Sequence, residues 1–149
     1  MLPNPEQLQA LTNRIDTGLD NPETSRALVV FNLTETPQSG TAVFRAAMSW
    51  PLNQALPPVT VATLESGLVA AAIRELSEAP DRKGRANRVL LSFALHFAAD
   101  AVPANGWRTY IASYAEDASP LLENAVENTD LIVIETTRHG GDLPPRGNF

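Results

Sequence analysis

With no cysteine in its 149 residues, the chain must draw any chemistry from its histidines, carboxylates and basic side chains. That absence removes thiolate nucleophiles, disulfide staples and cysteine-ligated zinc or iron–sulfur sites. The two histidines are His96 and His139. A triad or a zinc site holds its imidazole with a second group, and neither histidine has such a group at helical or hairpin spacing. His96 reads as a residue on the polar face of a strand, and His139 as a tail residue. Gly-x-Ser-x-Gly, the phosphate-binding Gly-Lys-Ser/Thr loop and the calcium loop are all missing. Glu65, Glu75 and Glu78, or Glu116 with Asp117, have the right groups for an acid–base pair, but exposed helix and loop positions account for them. No catalytic, cofactor-binding or metal-ligating residue is therefore assigned, no cofactor is expected, and the chain reads as a non-enzyme.

Recognition is better supplied than catalysis. Arg82, Lys83, Arg85 and Arg88 crowd one loop with a local charge of about +3, in a chain whose formal net charge is -6. Guanidinium forks pair with carboxylate or phosphate in two-point contacts, so this loop is a candidate interaction site. No aromatic interleaves with these charges, and the acidic balance disfavours a phosphate-backbone binder. Trp50 and Trp107 stand at strand ends, where an indole caps a core or anchors an interface. The last segment adds Arg138, Arg146 and Phe149. Asn32-Leu33-Thr34 matches a glycosylation sequon, which counts only in a secreted chain.

The elements that must position these residues follow from periodicity. Leu8, Leu11, Ile15 and Leu19 recur every three or four residues behind Asn4-Pro5, a capping residue followed by a proline suited to the first turn, which predicts a helix over 5–19. Leu28-Val29-Val30-Phe31 reads as a strand, as does the alternating Val89, Leu91, Phe93, Leu95, Phe97, Ala99. Each is followed by Pro-x-x-Gly, Pro37 to Gly40 and Pro103 to Gly106, which suits a reversal of the chain. Two antiparallel hairpins are expected, at about 27–50 and 89–115. Val59 to Val61 suggests a further short strand. Leu64, Leu68, Ala71, Ala72 and Leu76 predict a helix over 64–79, Ser119-Pro120 opens another over 119–128, and Leu131 to Ile134 starts a final strand over 131–137. The expected fold is an α+β domain over 1–137 with helices packed on the sheet, followed by an irregular tail, 138–149. The alternative makes 41–50 and 88–101 helices, since their polar residues also recur every four positions, and gives a parallel α/β three-layer sandwich.

Thr129 to Gly141, an apolar strand running into Thr136-Thr137-Arg138-His139-Gly140-Gly141, resembles the late strand and turn of universal stress proteins. That resemblance implies a parallel sheet and a nucleotide-binding role, the second functional reading beside the α/β alternative. Glu135 and Asp142-Leu143-Pro144-Pro145-Arg146 depart from the family pattern. The first reading is a non-enzymatic structural or protein-interaction subunit of a larger assembly, such as a virion component or an assembly or secretion-type chaperone, self-associating through hairpin edges and terminal arms. The third is an acidic inhibitor or immunity protein. The N-terminus lacks a secretory signal pattern and no apolar run reaches bilayer length, so a cytoplasmic location, or one inside a particle, is expected.

Overall fold

Residues 27–31, Ala-Leu-Val-Val-Phe, are apolar without alternation, which in a strand means that both faces are covered. The computed structural model, which describes residues 3–65, 67–114, 118–138 and 140–149, shows what covers them. Strand β1 (Ser25–Asn32) is central in a sheet of order β4-β3-β7-β1-β8, with β3 Val59–Thr63, β4 Gly67–Val69, β7 Gly106–Tyr114 and β8 Leu131–Thr136. The short β9 (Arg146–Asn148) pairs with the start of β7, on the edge that β3 uses further along. A second sheet of order β2-β6-β5 faces the first, with β2 Gln38–Pro51, β5 Ala71–Pro80 and β6 Arg88–Val102. Leu28 and Val30 join Phe97, Leu95 and Tyr110 in the core between the sheets. Val29 and Phe31 point the other way, into a smaller cluster with Leu8, Ile15 and Trp107 on the outer face.

Helix α1 (Pro5–Thr12) covers that outer face. Its Asn4 side chain caps the Gln7 amide while the Gln7 side chain returns to the Asn4 amide, the reciprocal arrangement that satisfies two free donors. It is shorter than 5–19 because the backbone of Ile15 and Asp16 is committed to Leu143, far along the chain.

The expected α+β fold with helices packed on a hairpin sheet is overturned. Every strand pair between named strands is antiparallel, and α1 is the only helix among the described residues. The parallel α/β sandwich, and with it the sheet implied by the resemblance to universal stress proteins, fails on the same ground. Segments 41–50 and 88–101 are strands, but neither Pro-x-x-Gly bend makes a hairpin. Each carries the chain from one sheet to the other: β1 pairs with β7 and β2 with β6. A hairpin would place both apolar faces in one sheet with nothing opposite, whereas the crossing sets them face to face, as in the tilted Phe97–Tyr110 contact at 5.2 Å. Gly40 sits inside β2 next to a register shift, not in the turn.

The helix expected over 64–79 is β4 and β5. Its supposed apolar stripe is exposed at Leu64, Leu68 and Leu76, and a register shift between Arg74 and Ser77, with Glu75 at φ 57°, interrupts the alternation that would have marked a strand. The helix expected over 119–128 is an irregular strap. Its backbone bonds to Ala71 on the β5 edge and to Thr41 on the β2 edge. The residues from Leu121 to Glu127 reach about 20 Å at most, and the inner face is filled, so the strap must cross the outer face of the three-stranded sheet. It covers His96 and Val43, which are buried although they point away from the core. Strand 131–137 is found as β8. The segment read as an irregular tail carries β9 and packs on β7. No helix among the described residues is long and apolar enough to cross a membrane, which says nothing of a β-barrel.

Candidate functional site

Strands β2 and β6, at 14 and 15 residues, are much longer than β1 and β7, at 8 and 9. One sheet therefore overhangs the other at the end where β1 begins and β7 finishes, and the sheets part there into a cleft of about 280 Å³. Phe44 and Met48 from β2, and Phe93 and Leu95 from β6, form one wall, with Leu28 and Ala112 opposite. Polar groups gather at the mouth. Arg26 Nε lies 2.9 Å from Glu135 Oε1, joining the ends of β1 and β8. The Ser25 and Ser113 hydroxyls are 2.8 Å apart across β1 and β7. Tyr114 donates its hydroxyl to Met48 Sδ at 3.2 Å, and burial pushes its phenol above the ordinary tyrosine range. Arg45 and Glu127 pair at 3.3 Å on the outer face of the overhanging sheet.

Of the residues singled out from sequence, Trp50 and the basic loop of Arg82, Lys83, Arg85 and Arg88 belong to this end, since Trp50 pairs with Val89 and Pro51 with Arg88. The Trp50 ring is tilted against Tyr114 at 5.9 Å, and its indole donates to the Gln54 carbonyl. The basic loop is half engaged by the protein itself. Arg85 grips Asp81 with its side chain and its amide, holding that carboxyl far below the usual carboxylate range and its own guanidinium above its usual value. Arg88 donates to the hydroxyl and carbonyl of Ser49. Arg82 and Lys83 remain exposed beside them.

Trp107, Arg146 and Phe149 meet at the opposite end of the sandwich. Trp107 is 3% exposed and donates to the Pro144 carbonyl, with Phe149 tilted over it at 5.9 Å and stacked on Phe31. It acts as a core cap. Arg146 and the buried Arg108 share Glu65 at 3.8 and 3.7 Å. Arg108 also donates to the Asp100 carbonyl and lies over the Tyr110 ring. Arg138 ties the chain by backbone alone, accepting from the Thr17 hydroxyl and donating its amide to Thr136. Arg138 aside, the candidates thus fall into two groups, Trp50 with the basic loop at one end and Trp107, Arg146 and Phe149 at the other.

Glu116, Asp117 and His139 lie outside the described residues. Among the described residues no three His, Asp or Glu side chains gather as they would around a metal ion. Sequence reasoning did not single out Arg26, Met48, Ser113 or Tyr114. Their one signal was position at strand ends, which says nothing until the partner strands are known.

No protein-family model matches the chain, and no curated protein matches it. Solved structures do. One is a protein of glycosyl hydrolase family 38 from Enterococcus faecalis, at TM-score 0.57 and 15% identity, covering 80% of this chain and 16% of that one. Another is an alpha-mannosidase from Enterococcus faecalis V583, at TM-score 0.57 and 16% identity, covering 80% and 15%. At this identity the likeness is one of fold, and the chain spans about a sixth of each neighbour.

Proposed function

We propose that this chain is a non-catalytic β-sandwich module of a larger carbohydrate-processing protein, where it supports and positions its neighbours. The observation that carries the reading is what the carboxylates do. Hydrolysis of a glycosidic bond by the common route uses two carboxyl groups facing each other across the bond, one of them with a raised pKa. Here Asp81, Asp142, Glu65, Glu127 and Glu135 each face an arginine, and the two clear carboxyl shifts, at Asp81 and Asp142, are both downward. Asp81 and Asp142, held so, are anchors that stay ionised. The likeness to parts of two much longer glycosidase-type chains supplies the carbohydrate context.

The contact surfaces in this reading are the open strand edges. β8 and, beyond the strap at Ala71, β5 end their sheets and expose Ile132 and Leu76. The test is the purified chain assayed on an aryl α-mannoside. The expected result is an all-β circular dichroism spectrum with no turnover. Turnover that disappears in Glu135→Gln would overturn the proposal.

A further inference from the structure

The geometry points to the cleft at the overhanging end as a binding site for a small uncharged amphiphile, an apolar chain or ring of roughly six to eight carbons with a hydroxyl-bearing head. The size is the first argument. About 280 Å³ lies near the lower end of ligand-sized pockets, enough for one ring or a short chain. The lining is the second: Phe44, Met48, Phe93 and Leu95 offer a surface that water wets poorly, and Leu28 closes it from the other sheet.

The mouth selects the head group. Arg26 is already matched by Glu135 at 2.9 Å. A charged ligand bound by either of these groups would have to break this pair and be desolvated at the same time. Glu23, also at the mouth, repels anions, and being exposed to water it offers a cation little to offset desolvation. What remains available is hydroxyl chemistry. Tyr114 lines the cleft, and among the described residues its hydroxyl bonds to Met48 Sδ, a weak acceptor that a ligand hydroxyl readily replaces. The Ser113 hydroxyl, shared with Ser25, lies on the same rim.

The probes are 1-hexanol, hexyl glucoside, hexanoate and hexylammonium, titrated into the full chain and followed by calorimetry and tryptophan fluorescence. Trp50 touches Tyr114, whereas Trp107 is buried at the far end, so a saturable change in emission reports the cleft. Hexanol and hexyl glucoside should saturate, with the two charged probes at least about tenfold weaker. The better of the two neutral probes tells whether the natural head is a free alcohol or a glycoside. Tyr114→Phe should weaken binding about fivefold, the loss of one hydrogen bond. Ala46→Leu, which fills the cleft from β2, should abolish saturable binding without lowering the melting temperature. If that variant fails to fold, Ala112→Leu on the facing sheet makes the same test. Non-saturable binding by all four probes, equal binding of hexanoate, or unchanged binding in a folded cleft-filling variant would each overturn the proposal. None of these outcomes depends on whether the chain belongs to a carbohydrate-processing protein.

Discussion

Replacing Asn32 with alanine removes the side chain that pins one sheet-to-sheet crossing to the other. Asn32 is wholly buried at the end of β1. Its Nδ2 donates to the Thr36 carbonyl at 2.8 Å and to the Val102 carbonyl at 3.1 Å, and its Oδ1 accepts from the amide and hydroxyl of Thr34 at 2.9 and 2.6 Å. Three of these bonds shape the turn between β1 and β2, while the fourth holds the end of β6. Thr36 is exposed and can recruit water once the amide is gone, but Val102 is wholly buried and its carbonyl cannot. One stranded carbonyl costs about 1–3 kcal/mol and each of the three replaceable bonds about 1 kcal/mol, so the expected loss is roughly 4–6 kcal/mol. Against a typical stability of about 5–15 kcal/mol this is a large fraction, and it should lower the melting temperature by about 10 °C. Equilibrium urea unfolding measures it, with the slope unchanged if only the native state is affected.

Asn32→Asp sharpens the test. The carboxylate introduced there, once ionised, would accept from Thr34 but face two carbonyls, so burial and repulsion would raise its folded-state pKa above the unfolded value near 3.9. A raised pKa means that stability is fullest below about pH 4 and is lost as pH rises through the folded value. Asn32→Asp should therefore be less stable than Asn32→Ala at neutral pH and approach it in acid. An alanine penalty under about 1 kcal/mol, or an aspartate variant indifferent to pH, would refute the account of the paired crossings.

Further outcomes follow at Gly106, Tyr110 and Asp142. A Cβ on Gly106 would stand 2.1 Å from the Gly147 carbonyl, so Gly106→Ala should displace β9, seen as faster amide exchange at 146–148 and a red shift of Trp107 emission. Tyr110 is wholly buried and accepts from the Asp100 amide, so Tyr110→Phe should cost about 1–2 kcal/mol in urea. Burial raises the Tyr110 phenol, so in the native protein it should stay protonated at pH 10 when followed by ultraviolet absorbance. The Asp142 carboxyl is held below its ordinary value by the Arg14 hydrogen bond, so its contribution is present at neutral pH and lost only as pH falls through that lowered value. Both partners are exposed, so carbon-detected NMR should show its midpoint rising toward 3.8 in high salt or in Arg14→Gln.

Local chemistry alone settled several features of this protein. Asn4-Pro5 starts a helix because a capping acceptor and a preset φ act within one turn. The alternation from Val89 to Ala99 makes a strand because side chains must face opposite sides, and the unbroken apolar run at 27–31 makes one that is covered on both faces. Tertiary structure decided the rest. A proline–glycine bend specifies that the chain turns, not which sheet receives the next strand, so the pairing of β1 with β7 and β2 with β6 was out of reach of any local signal. The segment 64–79 satisfies a helical period as written, yet 67–69 pairs with β3 and the stretch from Ala71 with β6, because those strands offer its backbone partners. The cleft has the same origin. Arg26, Ser113, Tyr114 and Glu135 lie on three strands scattered along the sequence, and they share a rim only because two sheets of unequal length are stacked.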